Sequence, residues 1–127
     1  MVPILKHSQY LIATVQAALS DSDLLELRDR LVAQVGQYRA RGVILDVTAL
    51  DVMDSFAVRT LRTLAQVTRL RGAETVIVGI APEVAMSMVE LGMTLDGVST
   101  ALDLEEGLAM LGQSLPSPLA GSRSRGK

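Results

Sequence analysis

Residues 43–56 read VILDVTALDVMDSF, and two periods meet inside them. Val43 to Val47 make a nearly continuous aliphatic run, the pattern of a strand covered on both faces of a sheet. From Ser55 the spacing changes. Ala57, Leu61, Leu64 and Thr68 recur every three or four residues, with Arg59, Arg62, Gln66 and Arg69 on the other side, which predicts an amphipathic helix. Asp54 and Ser55 stand at the junction. Both are good helix-capping types, and either suits the start of this helix.

Outward from this unit the chain repeats the same alternation. Toward the N-terminus, PILKH (3–7) and QYLIATV (9–15) read as short extended segments. The stretch 20–42, SDSDLLELRDRLVAQVGQYRARG, has helical period, with Leu24, Leu27, Leu31, Val35 and Tyr38 on one face. Asp23 with Glu26 resembles a capping box, residues 20–22 offer other starts, and Gly42 is the expected stop. Toward the C-terminus, Gly72 closes the second helix before the strand TVIVGI (75–80). Pro82 opens a third helix, PEVAMSMVELG (82–92), where proline is best tolerated. A short strand near 98–102 leads to DLEEGLAML (103–111), with Asp103 and Glu106 as a cap pair. Helices between strands require crossovers, so the expected fold is a single α/β domain with a mostly parallel sheet of about four or five strands and about four helices.

Composition narrows the function. The chain has 127 residues, enough for one core, so residues 1–112 are expected to be the domain. Residues 113–127, QSLPSPLAGSRSRGK, carry Arg123, Arg125 and Lys127 with no acid and are expected to be a disordered basic tail. Cysteine is absent, which removes disulfides and thiolate chemistry and fits a cytoplasmic location. No apolar run approaches the roughly 18 residues of a membrane span, and no signal-peptide pattern is present. A net charge of -2 argues against nucleic acid as a partner.

Catalytic groups are scarce. His7 is the only histidine, so a triad would depend on it and a multi-histidine metal site is impossible. No dinucleotide fingerprint, P-loop or nucleophile elbow occurs. Asp46 invites comparison with a phospho-accepting receiver aspartate, but the only lysines are Lys6 and Lys127, both outside the core pattern. The expectation is a protein that is not an enzyme and needs no metal or cofactor. Met86, Met88, Met93 and Met110 suit core filling in a chain with few aromatics, or else a partner surface. Ser55 is the residue suited to a switch. A phosphate there adds a charge of about -1.5 to -2 at the positive end of a helix dipole, beside Asp51 and Asp54.

At these residues a family resemblance emerges. VILDVTALDVMDSFAVRTL (43–61) resembles the central motif of STAS domains: strand, short loop, Asp-Ser, helix. Within that superfamily it is most similar to the RsbS type, the small scaffolds of bacterial stressosomes. The resemblance continues through residues 72–111 and back to PILK (3–6). It implies the STAS fold, with strands and helices wound as successive turns. It implies phosphorylation of Ser55 by an RsbT-like serine kinase and dephosphorylation by an RsbX-like phosphatase. It further implies self-association, assembly with RsbR-like STAS co-scaffolds, and capture of the kinase until Ser55 is phosphorylated. Asp51, Asp54, Phe56 and Arg59 surround Ser55 and are the expected partner-binding surface. Sporulation-type anti-sigma-factor antagonists usually carry a small residue and glycine after the motif serine, where this chain has Phe56 and Ala57. RsbR-type proteins usually carry threonine at the motif and a sensory domain. A small antagonist that binds an anti-sigma kinase is the alternative reading, followed by a small-molecule-binding STAS module.

Overall fold

The aliphatic run at 43–47 becomes the middle of a five-stranded sheet. In the computed structural model, which describes residues 1–114, the order of elements is β1 (Ile4–His7), β2 (Tyr10–Thr14), α1 (Asp21–Tyr38), β3 (Gly42–Asp46), α2 (Ser55–Leu70), β4 (Glu74–Val78), α3 (Pro82–Glu90), β5 (Ser99–Ala101) and α4 (Leu104–Ser114). Strands lie in the order β1-β2-β3-β4-β5. β1 and β2 form an antiparallel hairpin, and every later neighbour is parallel, with Ile12, Ile44 and Val76 side by side in register. The helical crossovers dictate that arrangement.

Alternation along the strands splits the core in two. Leu11, Val43, Leu45 and Ile77 face α1, α2 and α3 in the larger cluster, which includes Leu27, Leu31, Val58 and Leu64. Ile12, Ile44, Val76 and Val78 face the other way and are covered by Leu111 and Leu108 of α4. Leu11, Leu45, Leu64 and Ile77 are fully buried; burial of such a side chain contributes about 1.5–3 kcal/mol. The buried hydroxyls are matched. Thr68 and Thr75 lie 3.0 Å apart, and Thr68 also donates to the Ala65 carbonyl.

The fold expected from the periodicity is the fold observed, with local differences. The cap of α1 is Ser20 paired with Asp23, not Asp23 with Glu26: the Asp23 amide donates to Ser20 Oγ, and the Ser20 amide to the Asp23 carboxylate. α1 stops at Arg39, which adopts the left-handed conformation. Gly42 is already paired in β3, because the chain must be in register with Tyr10 there. Tyr38 is 43% exposed and so leaves the buried face; the Lys6 ammonium stands 5.9 Å from its ring. Helix α4 continues through Ser114, so positions 113 and 114 of the expected tail are helical, and the remainder, 115–127, lies outside the described residues.

Candidate functional site

The loop between β3 and α2 is short of regular structure but well anchored. Asp46, at the end of β3, accepts from the Thr48 amide at 3.0 Å and from the Thr48 hydroxyl at 2.6 Å. Its carboxylate is thus the hinge pin of a turn. The Val47 amide donates to the Val78 carbonyl, and the Leu50 amide closes a turn on Val47. Met53 is 6% exposed and pins the loop to the core, while its neighbour Val52 is 72% exposed.

Asp54 resolves which residue caps α2. Its backbone is extended, its carboxylate accepts from the Ala57 amide at 2.8 Å, and its carbonyl accepts from Val58. Ser55 is therefore the first helical residue. It is exposed, and its hydroxyl makes no hydrogen bond with any described residue. The division of labour matters chemically: the carboxylate holds the helix start, which leaves the hydroxyl available as an acceptor of a phosphoryl group. Replacement of Asp54 by alanine should lower stability by about 0.5–2 kcal/mol, the usual worth of an N-cap. Ser55→Ala should stay within about 0.5 kcal/mol of the parent, as for an exposed residue without partners. Urea denaturation of the two variants separates these outcomes.

The other sequence-derived site residues gather around Ser55, in different settings. Asp51 and Arg59 are exposed, and Arg59 has no ion pair or hydrogen bond with a described residue. Phe56 is half-buried and packs against the larger core cluster, so it is only partly exposed. Arg62 and Arg69, on the polar side of α2 with Arg59, reach α3–β5 loop carbonyls, at Thr94 and Gly97, and Arg69 also pairs with Glu74 at 3.3 Å. His7 is exposed on the edge strand β1.

Sequence reasoning missed the apolar groove beside Ser55. It runs between the loop and α3 and is lined by Val52, Met53, Val84, Leu91 and Met93, with Ser55 and Ser87 among its polar residues. Leu91, like Val52, is 72% exposed. The methionine cluster carried the only hint of it, and that cluster divides: Met88 is buried, Met86 is exposed and Met93 is half-buried. Among the described residues no cluster of three or more His, Cys, Asp or Glu could hold a metal, and no helix is long and apolar enough to cross a membrane.

Comparison with known proteins places these features in context. The STAS domain family model matches residues 2–106. The RsbT co-antagonist protein RsbRA of Bacillus subtilis (strain 168) is 30% identical over 82 residues, which is 65% of this chain and 30% of RsbRA. The chain thus spans under a third of that relative's length. A serine-to-glutamate variant of Moorella thermoacetica RsbS superposes with a TM-score of 0.76 at 33% identity, covering 88% of this chain and 95% of that one. A chain from a structure describing the molecular architecture of the stressosome, a signal integration and transduction hub, gives 0.71 at 30% identity, covering 87% and 96%.

Proposed function

Because the chain belongs to the STAS domain family, we propose that it is a stressosome-type scaffold that holds an RsbT-like serine kinase and releases it when Ser55 is phosphorylated. The observation that carries this reading is the exposed, uncommitted Ser55 hydroxyl at the first position of α2, with Asp54 alone acting as cap. Likeness to RsbS over nearly all of that chain, and to a stressosome chain, supports the scaffold role. Likeness to an RsbT co-antagonist supports a kinase of that type as the captured partner and RsbR-like proteins as co-scaffolds. On this reading the protein associates with itself and with those co-scaffolds in the cytoplasm, is reset by an RsbX-like phosphatase, and performs no catalysis of its own. Asp51, Asp54, Arg59 and the exposed part of Phe56 form the rim that the kinase meets.

The test is transfer of labelled phosphate from ATP. The protein alone should remain unlabelled, the kinase should label it once, and Ser55→Ala should abolish labelling while still capturing the kinase. Thr60 is a poor substitute acceptor, because it is buried and its hydroxyl donates to the Phe56 carbonyl at 2.8 Å. Unchanged labelling of Ser55→Ala would therefore move the site to Ser87, which is exposed and lines the same groove. Efficient labelling without a kinase would overturn the scaffold reading.

A further inference from the structure

A second site lies at the opposite end of α2. α2 is sixteen residues long with Ser55 at its first position, a length of about 24 Å. Arg39 at the end of α1, Arg41 before β3 and Arg71 at the end of α2 line one shallow concavity together with Gly36 and Gly72. All three arginines are exposed. The ion pairs among the described residues are Arg28–Asp29 and Arg69–Glu74, so none of the three has a carboxylate within pairing distance there. Residues 115–127 contain no Asp or Glu that could supply one.

Two features of the backbone hold this cluster together. Arg39 takes a left-handed conformation, φ 52 and ψ 44, which glycine adopts at far less cost. Gly36 lies inside the 18-residue helix α1, where alanine is the better helix former. A β-carbon at Gly36 would collide with the Arg71 guanidinium. The missing side chain is the space in which that guanidinium rests against α1.

We propose that this concavity binds a multiply charged phosphate, either free pyrophosphate or the phosphate chain of a nucleotide. The carbonyl ends of α1 and α2 meet there, and each offsets about half a unit of positive charge. Roughly two of the three positive charges remain. A carboxylate would neutralise only one of them, whereas a di- or trianionic phosphate matches the charge, and guanidinium forks fit its oxygens two at a time.

Isothermal titration of the full chain at constant ionic strength tests this, with pyrophosphate, ATP and adenosine as the three arms. Pyrophosphate and ATP should both bind and adenosine should not; ATP binding without pyrophosphate binding would overturn recognition through phosphate. The double variant Arg41→Gln, Arg71→Gln should weaken pyrophosphate binding at least about tenfold, whereas Arg28→Gln, which removes one positive charge elsewhere, should change it less than about twofold. Gly36→Ala separates the site from the fold. It should weaken binding severalfold by displacing Arg71, yet melt no lower than the parent because alanine favours the helix. Equal binding by the parent and the double variant would sink the proposal.

Discussion

Phosphorylation of Ser55 is expected to weaken kinase binding on the order of a hundredfold while it leaves the fold nearly as stable as before. The two effects differ because the charge meets different surroundings. Within the protein, the phosphate sits at the first position of α2, where the helix dipole favours an anion by about 0.3–1 kcal/mol at an exposed site. No acidic residue occupies the first turn of α2, so the main opposition comes from the cap Asp54 and from Asp51 in the loop before it. The cap bond itself, Asp54 to the Ala57 amide, does not involve the Ser55 hydroxyl. Across an interface the same anion must be desolvated beside the apolar groove of Val52, Met53 and Leu91. Such penalties reach several kcal/mol, and a loss of about 3 kcal/mol corresponds to roughly a hundredfold in affinity. Calorimetric titration and thermal melts of both forms measure the two quantities side by side. A phosphorylated protein that melted far lower, with a binding loss that merely tracked unfolding, would make Ser55 a structural residue.

Much of this was legible because periodicity reports burial directly. The run at 43–47 and the three-and-four spacing from Ala57 to Thr68 specify a strand and an amphipathic helix, and they became β3 and α2. The caps were less legible, since several polar residues in a row satisfy the same rule. Ser20 caps α1 because its hydroxyl reaches the Asp23 amide, a choice of geometry that spacing leaves open. The same ambiguity at Asp54 and Ser55 decides which side chain of the loop is left without a partner among the described residues. Only the three-dimensional placement assigns the cap to the carboxylate and leaves the hydroxyl exposed. Of the groove beside Ser55 the sequence carried only the hint of its methionines. It joins Val52 and Met53 to Val84, Leu91 and Met93, residues some thirty to forty positions apart, and no local pattern records that meeting.

The same long-range meeting makes Gly79→Ala the most damaging small substitution expected near the site. Gly79 follows β4 with φ +81, a conformation that costs an L-residue roughly 1–2 kcal/mol. Strain is the smaller part of the problem. A β-carbon there would overlap the Thr48 hydroxyl and lie 3.1 Å from the Thr48 α-carbon, so rotation of a side chain cannot relieve the clash. Thr48 must move, and its amide and hydroxyl are the two groups that Asp46 holds at the start of the loop. Displacement of that turn adds the loss of one or two hydrogen bonds to a charged acceptor, about 1.5–3 kcal/mol each at the upper limit. A total near 3 kcal/mol should lower the melting temperature by on the order of 10 °C in a domain of this size. The loop runs directly on to Asp54, so kinase capture should fall even at temperatures where the variant remains folded. Thr48→Ala in the Gly79→Ala background removes the hydroxyl but not the backbone clash, and should recover only part of the lost stability. A double-mutant cycle measures that recovery as a coupling energy between the two loops. Zero coupling, or a Gly79→Ala protein that melts like the parent, would mean that the β4–α3 connection does not set the position of the loop that carries Ser55.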